Sequence, residues 1–172
     1  MHTLLFLSMR VLHVVLAGAW LGAVMLVSLF LGPALQNLGT AGPPVIAALV
    51  RRGVPAYIAS IGGLTIVTGV YLFWRFTGGF DPAISASRAG MMFSIGALTG
   101  LIALILGGSI VGASAKKVAA LTGQLASTPE GAARTALVGN MDMLRARMRT
   151  FGRIVLVLLL ISMVTMALGH YI

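Results

Sequence analysis

The sequence predicts an all-α fold, a bundle of four transmembrane helices, from three observations. Hydrophobic residues make up 59% of the chain and charged residues only 9%, whereas a soluble domain usually has about 25% charged residues. The mean hydropathy is +1.04. Four stretches are each apolar over the roughly 20 residues that a helix needs to cross a bilayer. We therefore expect a single membrane domain, residues 1–172, surrounded by the lipid bilayer.

The four spans are expected at about residues 4–31, 55–76, 88–115 and 151–171. Gly32-Pro33 should close the first span, because proline removes a hydrogen bond from a helix interior. Pro55 suits the first turn of the second span. Ser87 is a candidate N-cap for the third span, since its hydroxyl can accept a hydrogen bond from a free backbone N–H.

Residues 116–150 are predicted to form a helical hairpin rather than a flexible loop. Thr128-Pro129-Glu130 has the cap, the first-turn proline and the early carboxylate of a helix start. Met141, Leu144 and Met148 then recur at helical spacing and would form the inner seam of the hairpin. We expect the third and fourth helices to extend beyond the membrane as an antiparallel pair that turns near residues 122–128.

The basic residues predict how the chain is oriented. The net charge is +9, from 12 Lys and Arg against 3 Asp and Glu. Cytoplasmic loops carry an excess of Lys and Arg, and nine of the twelve fall on the side of the first loop and the hairpin. Both termini are therefore expected on the outer, periplasmic side of a bacterial inner membrane. Nucleic acid is not an expected partner, because the chain lacks interleaved aromatic and basic residues.

Glycines spaced four residues apart predict close packing between helices. Small residues at this spacing allow two helix backbones to approach each other in a membrane. We expect three such pairs to fix a tight bundle: Gly18 and Gly22, Gly96 and Gly100, and Gly108 and Gly112.

The acidic residues and the missing cysteines exclude several functions. Asp81, Glu130 and Asp142 all fall in loops or in the hairpin, so no carboxylate is expected inside the bilayer to relay protons or coordinate sodium. This argues against an ion-coupled transporter. Cysteine is absent, which excludes thiolate metal sites and thiol catalysis. Because no nucleophile, acid or base is suitably placed, an enzyme is the least favoured class of protein.

Two histidines are the candidates for a functional site. His13 lies a few residues inside the first span and His170 near the end of the fourth, so both are expected near the outer side. Met9 shares a helical face with His13, and Met166 shares one with His170. Imidazole and thioether ligands suit copper, whereas a histidine pair suits b-type haem. Alternatively, the histidines bond to backbone carbonyls or lie at the interface, and the methionines are packing residues.

The first span also carries a family resemblance. It reads Leu12-His13 and then 17–22, Ala-Gly-Ala-Trp-Leu-Gly, which resembles the opening helix of the copper-resistance D (CopD)-like superfamily of bacterial membrane proteins. The resemblance continues in residues 64–69 and in Arg88, which opens the third span. It implies a four-helix bundle connected with copper or haem, with His13 as the carried-over residue. The related HemJ-type protoporphyrinogen oxidases are expected to use a third-helix lysine, where this chain offers only Arg88.

Two functions from different classes remain open. The first is a membrane protein that binds b-type haem or copper near the periplasmic side, for electron transfer or copper handling. His13 and His170 would be the cofactor ligands, with Met166 and Met9 as further metal ligands. The second is a non-catalytic accessory or structural subunit that packs within a larger membrane complex or a homo-oligomer. A visible absorption spectrum and metal analysis distinguish the two.

Overall fold

The computed structural model describes residues 2–171 and is all-α, with no strand in that range. Four of its helices are long and apolar enough to cross a membrane within the same range. The chain is therefore a multi-pass membrane protein, as its composition predicted. In chain order the α-helices are α1 (2–37), α2 (Gly42–Arg51), α3 (Val54–Phe76), α4 (Pro82–Ser85), α5 (Arg88–Ser127) and α6 (Ala132–Leu168).

The prediction that the first helix ends at Gly32-Pro33 is wrong. A π-helical segment, Leu26–Leu31, precedes the proline, and α1 continues through Gly32–Asn37. Hydrogen bonds in a π-helix run to the fifth preceding residue rather than the fourth, as from the Gly32 N–H to the Val27 carbonyl. We attribute the continuation of α1 to this wider turn, which gives room to the ring of a residue that lacks an N–H. A second π-helical segment, Gly107–Gly112, interrupts α5.

Prolines and capping residues predicted two helix starts correctly and one wrongly. Pro55 lies in the first turn of α3, and the Ser87 hydroxyl accepts a hydrogen bond from the Gly90 N–H at 3.1 Å. The predicted start at Thr128 is wrong, since α6 begins at Ala132 after Gly131, which has a φ of 149°. The Thr128 hydroxyl instead donates to the Gln124 carbonyl at the end of α5. The Thr128 hydroxyl therefore bonds to the end of α5 and does not cap the start of α6.

The core consists of two clusters of buried apolar side chains. In the first, α1, α3, α5 and α6 meet through Trp20, Val24, Ile61, Ala103, Val155, Leu156 and Leu159. In the second, α1, α2, α5 and α6 meet through Leu35, Ile46, Ala115, Val118 and Met141. Leu144 and Met148 pack against the second cluster, so the three residues of the predicted seam do point inward.

The predicted role of the glycine pairs holds for only one of them. A Cβ added at Gly96 would lie 2.8 Å from the Thr165 hydroxyl of α6, and one at Gly100 would lie 3.4 Å from the Ser162 hydroxyl. These two glycines therefore do bring α5 and α6 together. At Gly18 and Gly22, by contrast, an added Cβ would meet no described atom within 4 Å. That pair faces away from the bundle, because α1 packs on α3 through a different face.

Gly108 and Gly112 do not join helices either. An added Cβ at Gly108 would have no described neighbour within 4 Å, and one at Gly112 would meet only the Gly107 carbonyl of its own helix, at 3.4 Å. Both residues belong to the π-helical segment of α5. Their spacing therefore coincides with a widened part of the helix rather than with a close helix contact.

Candidate functional site

His13 lies in α1, and its half-buried imidazole contacts α3. Nδ1 of the ring lies 3.0 Å from the Thr65 carbonyl oxygen and 3.1 Å from the Thr68 hydroxyl. A carbonyl only accepts hydrogen bonds, so Nδ1 must carry a proton and donate it. In the neutral imidazole the other nitrogen, Nε2, then keeps an unshared lone pair.

The Thr68 hydroxyl is a second hydrogen-bond acceptor for the His13 ring. Its hydroxyl lies 2.8 Å from the Leu64 carbonyl and 3.0 Å from the Thr65 carbonyl of its own helix, to which it can donate. The hydroxyl oxygen then accepts from His13. Threonine is well suited to this arrangement, because its hydroxyl commonly bonds to a carbonyl three or four residues earlier.

Gly69 allows the imidazole to approach the backbone of α3. A Cβ at this position would lie 2.9 Å from Cε1 of His13, so a larger residue would displace the ring. Thr65, Thr68 and Gly69 occupy one face of α3 at positions i, i+3 and i+4. These residues belong to the stretch 64–69 that carries part of the family resemblance, but the resemblance does not identify them as the surface that contacts His13. The sequence signal that could have identified this surface is the spacing of two hydroxyl residues and a glycine.

His170 has different partners. It follows the end of α6 and is exposed, and an Nη2 hydrogen of Arg10 is donated to its Nε2 at 2.9 Å. The Phe93 ring of α5 packs edge-to-face against it at 5.4 Å between ring centroids. Arg10 precedes His13 by about one helical turn, so both histidines lie at the same end of the bundle. Ligation of one metal by both imidazoles stays a prediction.

The two methionines differ in their surroundings. Met166 packs against α5, since its Cγ and Cε both lie 2.9 Å from the position that a Cβ of Gly96 would take. Met9 is half-buried and lies four residues before His13, on the same face of α1. No group of three His, Cys, Asp or Glu residues that could hold a metal ion occurs among residues 2–171.

No protein-family model, curated protein or solved structure matches the chain. The fold defines the class, a multi-pass α-helical membrane protein. Within it, the most specific polar arrangement around a histidine is that of His13 with Thr65 and Thr68.

Proposed function

We propose that this chain is a multi-pass protein of the bacterial inner membrane that binds copper or b-type haem through His13, for electron transfer or copper handling. The observation that supports this function is the hydrogen bond from Nδ1 of His13 to the Thr65 carbonyl. A metal-ligating histidine almost always donates its second ring N–H to a carbonyl, carboxylate or water, which fixes the tautomer and the ring orientation. Nε2 is then the ligand atom.

The residues at this end fit a copper ion better than a haem held by two histidines. Cu(I) accepts imidazole and thioether ligands, and Met9 lies on the same helical face as His13. A haem held by both histidines would need Nε2 of His170, which accepts a hydrogen bond from Arg10. Arg10 would have to release this nitrogen first. Bound copper would supply one-electron redox chemistry, while Thr65 and Thr68 would orient the imidazole.

The placement of this site on the periplasmic side is supported by the distribution of charge. Three cations lie on the side of His13, namely Arg10, Arg75 and Arg88. The other nine lie on the side of α2 and of the paired ends of α5 and α6, which the positive-inside rule assigns to the cytoplasm. In the resulting topology both termini are periplasmic, and the ends of α5 and α6 form the cytoplasmic hairpin.

The test is metal analysis and visible spectroscopy of protein loaded with Cu(I) or with haem. His13→Ala should lose the bound cofactor, whereas the matched variant His170→Ala should retain most of it, because only His13 has a carbonyl that orients its ring. Ligating imidazole must be neutral, so copper affinity of the wild type should fall as the pH drops through the range in which histidine becomes protonated. A folded wild-type protein that stays colourless and metal-free after loading would contradict the proposal.

The second candidate function is a non-catalytic subunit of a larger membrane complex or a homo-oligomer. It is favoured by the outward-facing pair Gly18 and Gly22, a surface of the kind on which membrane helices dock. The double variant with Leu at both positions should then dissociate the assembly, as measured by native mass. The matched change Gly63→Leu, at another glycine with no described neighbour within 4 Å, should not. A wild-type protein that is monomeric in mild detergent and in nanodiscs would exclude the homo-oligomer.

A further inference from the structure

A cavity of about 180 Å³ runs between the helices from the middle of the bundle to the end opposite His13. On α1 its lining extends from Trp20 to Gln36, a length of roughly 24 Å at about 1.5 Å per residue. Its walls are mostly aliphatic, with Leu31, Ile46 and Val155 among them. An apolar cavity of about 150 Å³ holds a benzene molecule, so this one has room for a segment of a hydrocarbon chain.

Both π-helical segments of the described range line this cavity. Val27, Ser28 and Leu31 come from the segment in α1, and Gly107, Gly108, Val111 and Gly112 from the segment in α5. A π-helical turn contains an extra residue, and such turns occur frequently at functional sites. Two different helices thus each place a widened turn next to the same cavity. The cavity is therefore a feature of the backbone and not a gap left by one small side chain.

Two arginines of α6 lie at the end of the cavity, and one of them has an unused donor. The side chain of Arg145 is 13% exposed. Its Nη2 donates to the Leu35 carbonyl at 3.0 Å, and its Nη1 lies 3.3 Å from the Asp142 carboxylate. Its Nε is buried with no acceptor in the described part of the chain. Arg149 donates to the Gln36 side-chain carbonyl at 2.9 Å. An unsatisfied buried N–H is costly, and the side chains of both arginines line the space at this end of the cavity.

A second pocket adjoins this end of the cavity. It has a volume of about 170 Å³ and is lined by Gln36, Asp142, Arg145, Ala146 and Arg149. Gln36 and both arginines also line the apolar cavity, so the polar and apolar spaces are neighbours. Two guanidinium groups against one carboxylate leave the polar pocket with an excess positive charge. The combined space has the shape and polarity of an amphiphile with an anionic head.

We propose that this combined space binds an anionic phospholipid, with a segment of one acyl chain in the cavity and the phosphate at Arg145 and Arg149. Guanidinium groups match phosphate oxygens geometrically and are the preferred phosphate partners in proteins. The roughly 24 Å lining exceeds the roughly 15 Å depth of one hydrocarbon leaflet, half of about 30 Å, so its length suits an extended acyl chain, while its volume of about 180 Å³ takes a segment of that chain. A partner helix, about 10 Å across, would need far more than the 180 Å³ that this cavity offers along its length. A neutral amphiphile would leave the excess charge unpaired.

The test compares lipids retained by the purified protein, measured by native mass spectrometry after reconstitution with phosphatidylglycerol or phosphatidylcholine of identical acyl chains. The wild type should retain phosphatidylglycerol preferentially. Arg149→Gln should weaken that retention roughly fivefold, the effect of about 1 kcal/mol per arginine near anionic lipid. Arg153→Gln, an exposed arginine one turn further along α6 that lines neither pocket, is the matched control and should change little. Arg145→Gln should have a larger effect, and Arg149→Gln provides the test if that variant does not fold.

A variant that fills the cavity tests the position of the acyl chain. Gly107 lines the cavity, and among the described atoms a Cβ there would meet only Val155, at 3.9 Å. Gly107→Leu should therefore reduce retention of both lipids, whereas Gly123→Leu, outside both pockets on the same helix, should not. Equal retention of the two lipids by the wild type, equal losses in Arg149→Gln and Arg153→Gln, or unchanged retention in Gly107→Leu would each overturn the proposal. Copper or haem binding at His13 is a separate readout and does not enter this test.

Discussion

The two ends of the bundle differ in how their buried polar groups are satisfied. At one end, Nδ1 of His13 has an acceptor 3.0 Å away, and Gly69 lets the imidazole lie against α3. At the other end, two π-helical segments line a cavity, and Nε of Arg145 has no acceptor among the described residues. The first end orients one lone pair, on Nε2, before any ligand arrives. The second end keeps a cavity and two arginine side chains that line it.

The largest expected contrast between the two ends is the side of the membrane on which each lies. The chain has no cysteine, so single cysteines can be placed at the exposed positions Thr3 and Gln124 without removing any other. In intact cells, a membrane-impermeant thiol reagent should label Thr3→Cys and should reach Gln124→Cys only after lysis. The reverse pattern would invert the topology and place the His13 end in the cytoplasm.

Proline at Val138 should have the largest effect on stability, because the residue lies inside the continuous helix α6. The Val138→Pro variant should lose about 3 kcal/mol or more of unfolding free energy, since it removes a hydrogen bond and introduces a steric clash. Val138 is 41% exposed, so the control variant Val138→Ala should lose much less. Unfolding in detergent, followed by circular dichroism, measures both. An unchanged Val138→Pro protein would mean that α6 is not a continuous helix around residue 138.

A larger residue at position 69 should destabilise the end of the bundle where His13 packs against α3. Gly69→Val should cost about 1–3 kcal/mol, the usual effect of overpacking, because its Cβ would lie 2.9 Å from Cε1 of His13. The same variant should bind less copper or haem, since the ring must move away from the Thr65 carbonyl. Gly63→Val, on the same helix with no described neighbour within 4 Å, should be close to neutral in both measurements. Equal costs at the two positions would show that His13 is not packed against Gly69.

Removal of the Thr68 hydroxyl should have a smaller effect on the free energy of unfolding. Thr68→Val keeps the shape of the side chain and removes one hydrogen bond to His13, at an expected cost of about 1 kcal/mol. Thr99 is the matched control, because its hydroxyl bonds only to carbonyls of its own helix among the described contacts. A loss in Thr99→Val as large as that in Thr68→Val, measured by unfolding in detergent, would assign the effect to the helix and not to the imidazole.

The features that depend on local chemistry could be predicted from the sequence, and those that depend on helix rotation could not. The four apolar stretches and the cap at Ser87 follow from residues close together in the chain. The contact of His13 with the Thr65 carbonyl depends on how α1 is rotated against α3, which near-uniform apolarity does not specify. The same reason explains the error at Gly18 and Gly22, whose spacing indicates a docking face but not the helix that it faces.

The cavity could not be predicted because it arises from two departures from α-helical geometry at distant positions of the chain. The Gly32-Pro33 pair predicted the end of the first span. It did not indicate that the helix would continue through a π-helical segment, and nothing local linked it to Gly107–Gly112. In the sequence, Arg145 and Arg149 indicate only the orientation of the chain, since the pockets that they line form when α1, α2, α5 and α6 pack together.

If Nε2 of His13 is a metal ligand, as we propose, the first coordination shell of bound copper must contain it. X-ray absorption of the copper-loaded wild type should show imidazole nitrogen in that shell, together with thioether sulfur. In His13→Ala the nitrogen contribution should disappear or the copper should be lost, whereas in His170→Ala the shell should be unchanged. A shell that is the same in His13→Ala as in the wild type would contradict the claim.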